Sequence, residues 1–119
     1  MNCRMAGADK EDFRQAVYQM VRHIPYGRAT SYGVIARAVG YPGRSRLVGH
    51  VLGHIPDALS DLPAHRVVNS QGVLSGKDAF ATPTAMEELL KAEGVEVAGN
   101  RIKNWKSVFW DPMHEIDDP

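Results

Sequence analysis

Cysteine is almost missing from this chain: Cys3 is the one thiol among 119 residues. That excludes an internal disulfide and any thiolate metal cluster, and it makes a reducing cytoplasm the expected compartment. Long apolar runs are missing too. Nothing approaches the roughly 20 residues of a membrane-spanning helix, and the first residues lack a signal-like apolar core, so no membrane partner is expected. Net charge is zero, with 14 basic residues against 14 acidic ones. The most informative absence is local. Between Phe13 and Pro56 there is no Asp or Glu, while the same stretch holds Arg14, Arg22, Arg28, Arg37, Arg44 and Arg46. A basic block in a neutral chain predicts one face for a polyanion, kept soluble by an acidic remainder. A solvated basic surface without a ligand is the alternative.

At this length the chain suits a single domain, 1–119, that buries about two-thirds of its unfolded surface. Its core is expected over about 9–110, with loose ends at 1–8 and 111–119. From Asp9, a capping residue, the apolar positions Phe13, Ala16, Val17, Met20, Val21 and Ile24 trace a helical stripe that Pro25-Tyr26-Gly27 breaks. Thr30 or Ser31 caps a second helix with Val34, Ile35, Ala38 and Val39 inward, closed by Gly40. A third runs from about Arg44 to Gly53, with Leu47, Val48, Val51, Leu52 and Ile55 on its apolar side. Its other face carries Arg46, Gly49, His50 and Gly53 at i, i+3, i+4 and i+7. A glycine costs a helix about 0.5–1 kcal/mol relative to alanine, so two on one face imply close approach of another backbone. Two short helices joined by a tight turn, the second with a basic face, predict a helix-turn-helix. A packed helical hairpin is the bland alternative.

Downstream, Pro63-Ala64-His65-Arg66-Val67-Val68-Asn69 and Val73-Leu74-Ser75 flank Ser70-Gln71-Gly72, a pattern that predicts a hairpin serving as a wing. Thr82-Pro83 should cap a fourth helix with Met86, Leu89 and Leu90, ending at Gly94. Val95–Val97 and Arg101–Ile102 around Gly99-Asn100 suggest a second small hairpin, and Trp105, Phe109 and Trp110 should pack down the C-terminal segment. The expected fold is mostly α with a small β-hairpin: a winged helix-turn-helix domain of three to four helices. His50 and His54 have a spacing that can hold zinc, but no third ligand lies nearby, so neither a metal nor a cofactor is expected. The serines lack a nucleophile-elbow context, and His65 has no serine partner. The turn at Pro63 looks built to present chemistry, yet Ala64 has no atom that reacts.

Five stretches carry a resemblance: Ile24-Pro25-Tyr26-Gly27, Ser31-Tyr32-Gly33 with Ile35-Ala36, Arg46-Leu47-Val48-Gly49, Pro63 to Val68, and Leu89-Leu90-Lys91-Ala92-Glu93-Gly94. In this order, across roughly residues 13–94, they resemble the DNA-binding domain of the O6-alkylguanine-DNA alkyltransferases. In that family the cysteine of a Pro-Cys-His-Arg-Val motif accepts the alkyl group, and here Ala64 stands at its position. The chain is thus similar to the alkyltransferase-like proteins, which recognise the lesion without an acceptor.

The resemblance implies a non-enzymatic monomer that binds O6-alkylguanine in duplex DNA from the minor groove, flips it, and marks it for nucleotide excision repair proteins. It implies Arg46 as the finger that fills the vacated stack and Tyr32 as the residue that crowds the 3′ phosphate. Gly49, His50 and Gly53 complete the DNA-binding set, with the glycines giving clearance. The lesion pocket is expected from Tyr32, Pro63, Ala64, His65, Arg66, Val67 and Lys77, with Lys77 stacking on the alkylated base. His65 and Glu93 match the residues that activate the thiol in the transferases and are expected here as a structural remnant of that relay. Ala64 should leave room for larger alkyl groups. Two departures stand out: Ile55-Pro56 lies near the family's Asn-Pro, and Gly76-Lys77-Asp78-Ala79-Phe80 replaces a glycine-rich loop. Both argue against a Cys→Ala mutant of a working transferase, which remains one alternative; a winged-helix protein-interaction module is the other.

Overall fold

The computed structural model describes residues 6–115, so Cys3 and the last four residues lie outside it. Helix α1 (Ala6–His23) begins ahead of Asp9, which therefore lies inside the helix rather than capping it. Its buried stripe is Phe13, Val17, Tyr18, Val21 and Ile24, the three-and-four spacing of a helix with one apolar face. Arg22 and His23 fall in the last turn, where cations complement the carbonyl end of the helix dipole.

Strand β1 (Thr30–Ser31) runs straight into α2 (Tyr32–Ala38). Ser31 is the cap: its Oγ accepts the Val34 amide at 3.2 Å. The buried residues of α2 are Val34, Ile35 and Ala36. Ala38 and Val39, expected inside, are only half-buried. After a turn through Tyr41 to Arg44, helix α3 (Ser45–Leu52) buries Val48, Val51 and Leu52, whereas Leu47 is exposed. Helices α2 and α3 pack on each other and on α1, which places a helix-turn-helix on the first core cluster.

The wing differs from the expectation. Strand β2 (Val67–Val68) pairs in parallel with β1, Thr30 opposite Val67 and Ser31 opposite Val68, and does not form a hairpin with residues 73–75. Val67 points into the cluster under α1–α3 and Val68 into a second cluster with Leu74, Met86 and Leu90, the alternation of side chains along a strand. A tight turn follows, in which Asn69 Oδ1 accepts the amides of Gln71 and Val73, each at 2.9 Å. Gly72 has a φ of +83°, and a Cβ there would press on the Trp105 ring at 3.2 Å, so a side chain at this position would be strained. Val73 then bridges Arg101 instead of β2. Strands β3 (Val97–Ala98) and β4 (Arg101–Ile102) form the second hairpin as expected, with Gly99 and Asn100 both at positive φ, the requirement of a two-residue turn.

Helix α4 (Ala85–Ala92) is preceded by Thr84 rather than capped by Thr82, and it buries Met86 and Leu90 while Leu89 stays exposed. Short helices α5 (Trp105–Val108) and α6 (Pro112–Glu115) finish the described chain. Trp105 and Phe109 pack at 5.3 Å between ring centroids, and Trp110 is buried in the first cluster. Residues 112–115, expected to be loose, are helical, and Asp111 Oδ1 accepts the Met113 amide at 2.9 Å.

Candidate nucleic-acid interface

Three elements meet at the candidate site: the start of α2, one face of α3, and the turn at Ala64. Tyr32 opens α2, and burial pushes its phenol above its ordinary value, offset in part by a hydrogen bond with Ser75. Arg46, one residue into α3, is exposed and makes no ion pair among the described residues. Tyr32, Ser45, Arg46, Gly49, Ser75 and Gly76 surround an open depression of about 320 Å³. At its base lies a neck of about 30 Å³, where Tyr32, Gly49 and Gly76 meet Leu52, Gly53, Ala64, Ala79 and Phe80. Gly76 has a steric reason to be glycine, because a Cβ there would overlap the Tyr32 hydroxyl.

The two α3 glycines play different parts. Gly53 is the C-cap residue and reaches the neck from the helix end. A Cβ at Gly49 would lie 3.8 Å from the Tyr32 ring, an ordinary contact. Folding therefore does not need this glycine. Gly49→Ala should leave stability unchanged or raise it by about 0.5–1 kcal/mol, yet weaken DNA binding by about 1–3 kcal/mol by crowding an approaching backbone. A denaturant midpoint and a DNA titration check the two halves, and unchanged DNA affinity would remove the clearance role.

His65 and Arg66 turn away from the neck. Pro63 ends in a conformation that starts a 3-10 turn over Ala64–Arg66, and this sends both side chains toward Glu93, the C-cap residue of α4. His65 Nε2 lies 2.6 Å from Glu93 Oε2. Arg66 donates through Nε to both carboxylate oxygens at 3.0 Å and through Nη2 to Oε2 at 2.8 Å. Its Nη1 reaches the Ile24 carbonyl at 2.8 Å, and the Gly27 amide donates to Glu93 Oε1 at 2.8 Å. Burial pushes the Glu93 carboxyl up, but the bonds from Arg66, Gly27 and His65, with the charge of His65, outweigh it and hold the carboxyl below its ordinary value. This cluster ties the ends of α1 and α4 to the Ala64 turn.

Of the residues expected to line the pocket, Tyr32 and Ala64 do so. Val67 is fully buried in the core beneath, Pro63 lies outside the lining, and His65 and Arg66 face Glu93. Lys77 heads the 3-10 turn Lys77–Ala79, and its side chain is not part of the wall. The same loop supplies Gly76, Ala79 and Phe80 instead. That loop reads in sequence as a polar connector, and a lone aromatic within it is the only signal of its role. His50 is exposed and stacks with His54 at 4.5 Å between centroids. It also lines a separate groove of about 510 Å³, with Phe13 and Tyr41, on the other flank of α3. Among the described residues no group of three potential metal ligands occurs.

The basic block divides in the fold. Arg28 is held by the carbonyls of Val108 and Phe109, and Arg22 lies 4.0 Å from Asp61. Arg14, Arg37, Arg44 and Arg46 make no ion pair among the described residues, and Arg14, Arg44 and Arg46 are brought together around α3.

The family model for the DNA-binding domain of 6-O-methylguanine DNA methyltransferase matches residues 12–95. Alkyltransferase-like protein 1 of Schizosaccharomyces pombe is 36% identical over 106 residues, which cover 86% of this chain and 97% of that protein. A DNA base-flipping protein of Escherichia coli is 44% identical over 106 residues, covering 87% of this chain and 78% of its own length. The crystal structure of S. pombe Atl1 in complex with damaged DNA containing O6-carboxymethylguanine superposes with a TM-score of 0.77 at 36% identity, over 92% of this chain and all of that one.

Proposed function

Because the chain belongs to the family of the 6-O-methylguanine DNA methyltransferase DNA-binding domain, we propose that it binds O6-alkylguanine in duplex DNA by flipping the base toward Ala64, and that it does not accept the alkyl group. The observation that carries this reading is the neck itself. Ala64 lines it together with Tyr32, and Arg46 lines the adjoining depression that shares Tyr32, so a methyl group stands where an acceptor would need a thiol. Flipping costs a few kcal/mol of lost stacking and pairing. Arg46 offsets part of that cost from the minor-groove side by filling the gap with a planar cation. Tyr32 stands where it crowds the phosphate of the departing nucleotide. His65 and Glu93, bonded to each other and to Arg66, hold the Ala64 turn in place and activate nothing.

A protein that binds the lesion without removing the alkyl group leaves removal to other proteins. We therefore assign it a marking role, with nucleotide excision repair as the consumer of the marked site.

The test is a fluorescence titration of the whole protein with matched duplexes, one carrying O6-methylguanine and one undamaged, beside incubation with duplex radiolabelled in the O6-methyl group. Tighter binding to the lesion with no label on the protein is the expected result. Equal affinities, or label transfer, would overturn the reading. If the four arginines that make no ion pair among the described residues, Arg14, Arg37, Arg44 and Arg46, all contact phosphates, log affinity should fall with log salt at a slope of about −3 to −4. A flat salt response would remove these arginines from the interface.

A further inference from the structure

The phenol of Tyr32 sits between two glycines. One edge of its ring lies beside Gly49, where an added Cβ would make only an ordinary contact, and its hydroxyl lies against Gly76, where an added Cβ would overlap it. The same hydroxyl shares a hydrogen bond with Ser75. Ser75 and Gly76 adjoin in one turn, so a single piece of backbone holds the far end of the side chain.

That turn is itself braced. Leu74, the residue before it, is buried in the second core cluster, and its amide donates to the Asn100 carbonyl at 3.0 Å. The segment leading to it is fastened to the β3–β4 hairpin twice more, by the Ile102 amide to the Gly72 carbonyl at 2.9 Å and by Arg101 Nε to the Gln71 carbonyl at 3.1 Å. Against such an anchor the phenol gives way before the backbone does. Gly76 has a φ of −95° and a ψ of 12°, on the side of φ that L residues adopt, so its own backbone does not call for glycine. The Tyr32 hydroxyl does.

We propose that Ser75 and Gly76 are positioning residues for Tyr32: their turn, braced by the β3–β4 hairpin, fixes where the phenol stands at the mouth of the depression and so how it crowds the phosphate of the departing nucleotide. Crowding works only at a defined distance. A site of this kind needs its groups held to within about 0.5 Å by packing and by supporting hydrogen bonds, and a phenol free to swing would yield to the phosphate instead of turning it. The inference rests on lesion binding as proposed above.

The experiment is a double-mutant cycle read by fluorescence anisotropy with an O6-methylguanine duplex, and with the undamaged duplex for comparison. It uses wild type, Gly76→Ala, Ser75→Ala, Tyr32→Phe, and each of the first two variants combined with Tyr32→Phe. Gly76→Ala should weaken lesion binding about tenfold and Ser75→Ala about threefold. In the Tyr32→Phe background neither should weaken it further. The hydroxyl on which both act is then gone, and the new Cβ at position 76 meets the ring at 3.7 Å, an ordinary contact. A glycine or serine that only touched DNA or shaped its own loop would cost the same in both backgrounds. That result overturns the proposal, as does an absence of effect in wild type. Ser75 is exposed, so Ser75→Ala carries the cycle alone should Gly76→Ala fail to fold. NMR of protein labelled with ring-13C tyrosine adds a reading without DNA: the Tyr32 signal, identified by its loss in Tyr32→Phe, should move in Ser75→Ala and Gly76→Ala, and a signal that stays in place in both overturns the positioning role. If wild type prefers the lesion but the cycle is additive, positioning alone falls. If wild type binds both duplexes alike, lesion binding falls and the inference with it.

Discussion

Replacing Glu93 with alanine is expected to destabilise the fold by about 3–5 kcal/mol, the usual cost of removing one partner from a buried ion pair. The Glu93 side chain is 6% exposed and that of Arg66 15%. The carboxylate is the common acceptor for Arg66, His65 and the Gly27 amide. Without it, the guanidinium keeps one bond, to the Ile24 carbonyl, and the Gly27 amide loses its acceptor. In a domain of this size the loss should lower the melting temperature by roughly 10–20 °C. Glu93→Gln retains one carbonyl acceptor and should cost less. The effect should also depend on pH. The folded carboxyl lies below its ordinary value near 4.5, so its stabilisation is fully present above that value and is lost as pH falls through the lower, folded one. Urea midpoints of wild type and Glu93→Ala should be far apart at neutral pH and converge in strong acid. A gap that persists in acid would assign the loss to packing rather than charge.

What the sequence discloses of this fold follows the range of each interaction. Helices α1 to α4 are legible because Phe13, Val17, Val21 and Ile24, or Val48, Val51 and Leu52, bury a stripe whose spacing is local. The Gly99-Asn100 turn is legible because its backbone demands positive φ. The parallel pairing of Thr30–Ser31 with Val67–Val68 joins two dipeptides far apart in sequence, and neither carries a local mark of its partner. Val73-Leu74, with the pattern of a hairpin arm, therefore reads as the mate of β2 and is instead held by residues 100–102. At the site, Ala64 is conspicuous because its flanking residues promise chemistry that a methyl group cannot perform. The turn of His65 and Arg66 toward Glu93 is set by the 3-10 geometry after Pro63, which residue types alone do not specify. The wall from Gly76, Ala79 and Phe80 is hidden for the opposite reason: its polar loop composition matches any surface connector.

Arg46→Ala should weaken binding to O6-methylguanine duplex by about 1–3 kcal/mol while leaving the fold intact, since Arg46 is exposed and forms no ion pair among the described residues. A simple phosphate contact and a finger in the stack both predict weaker binding, but they differ in which duplex suffers. A phosphate contact is blind to the base, so its loss would weaken lesion and undamaged duplexes alike and reduce the salt slope by about 1. A finger acts only once a base has left the stack, so its loss should fall on the lesion duplex and narrow the preference for damage. Arg46→Lys separates charge from shape. Lysine restores the point charge but lacks the flat guanidinium that can lie between bases, so it should recover binding to undamaged duplex better than binding to the lesion. Titration of the three proteins with both duplexes at two salt concentrations checks this directly. Equal losses on both duplexes, rescued fully by lysine, would make Arg46 a phosphate contact and leave the vacated stack to be filled by another residue at the mouth formed by Tyr32, Ser45 and Gly76.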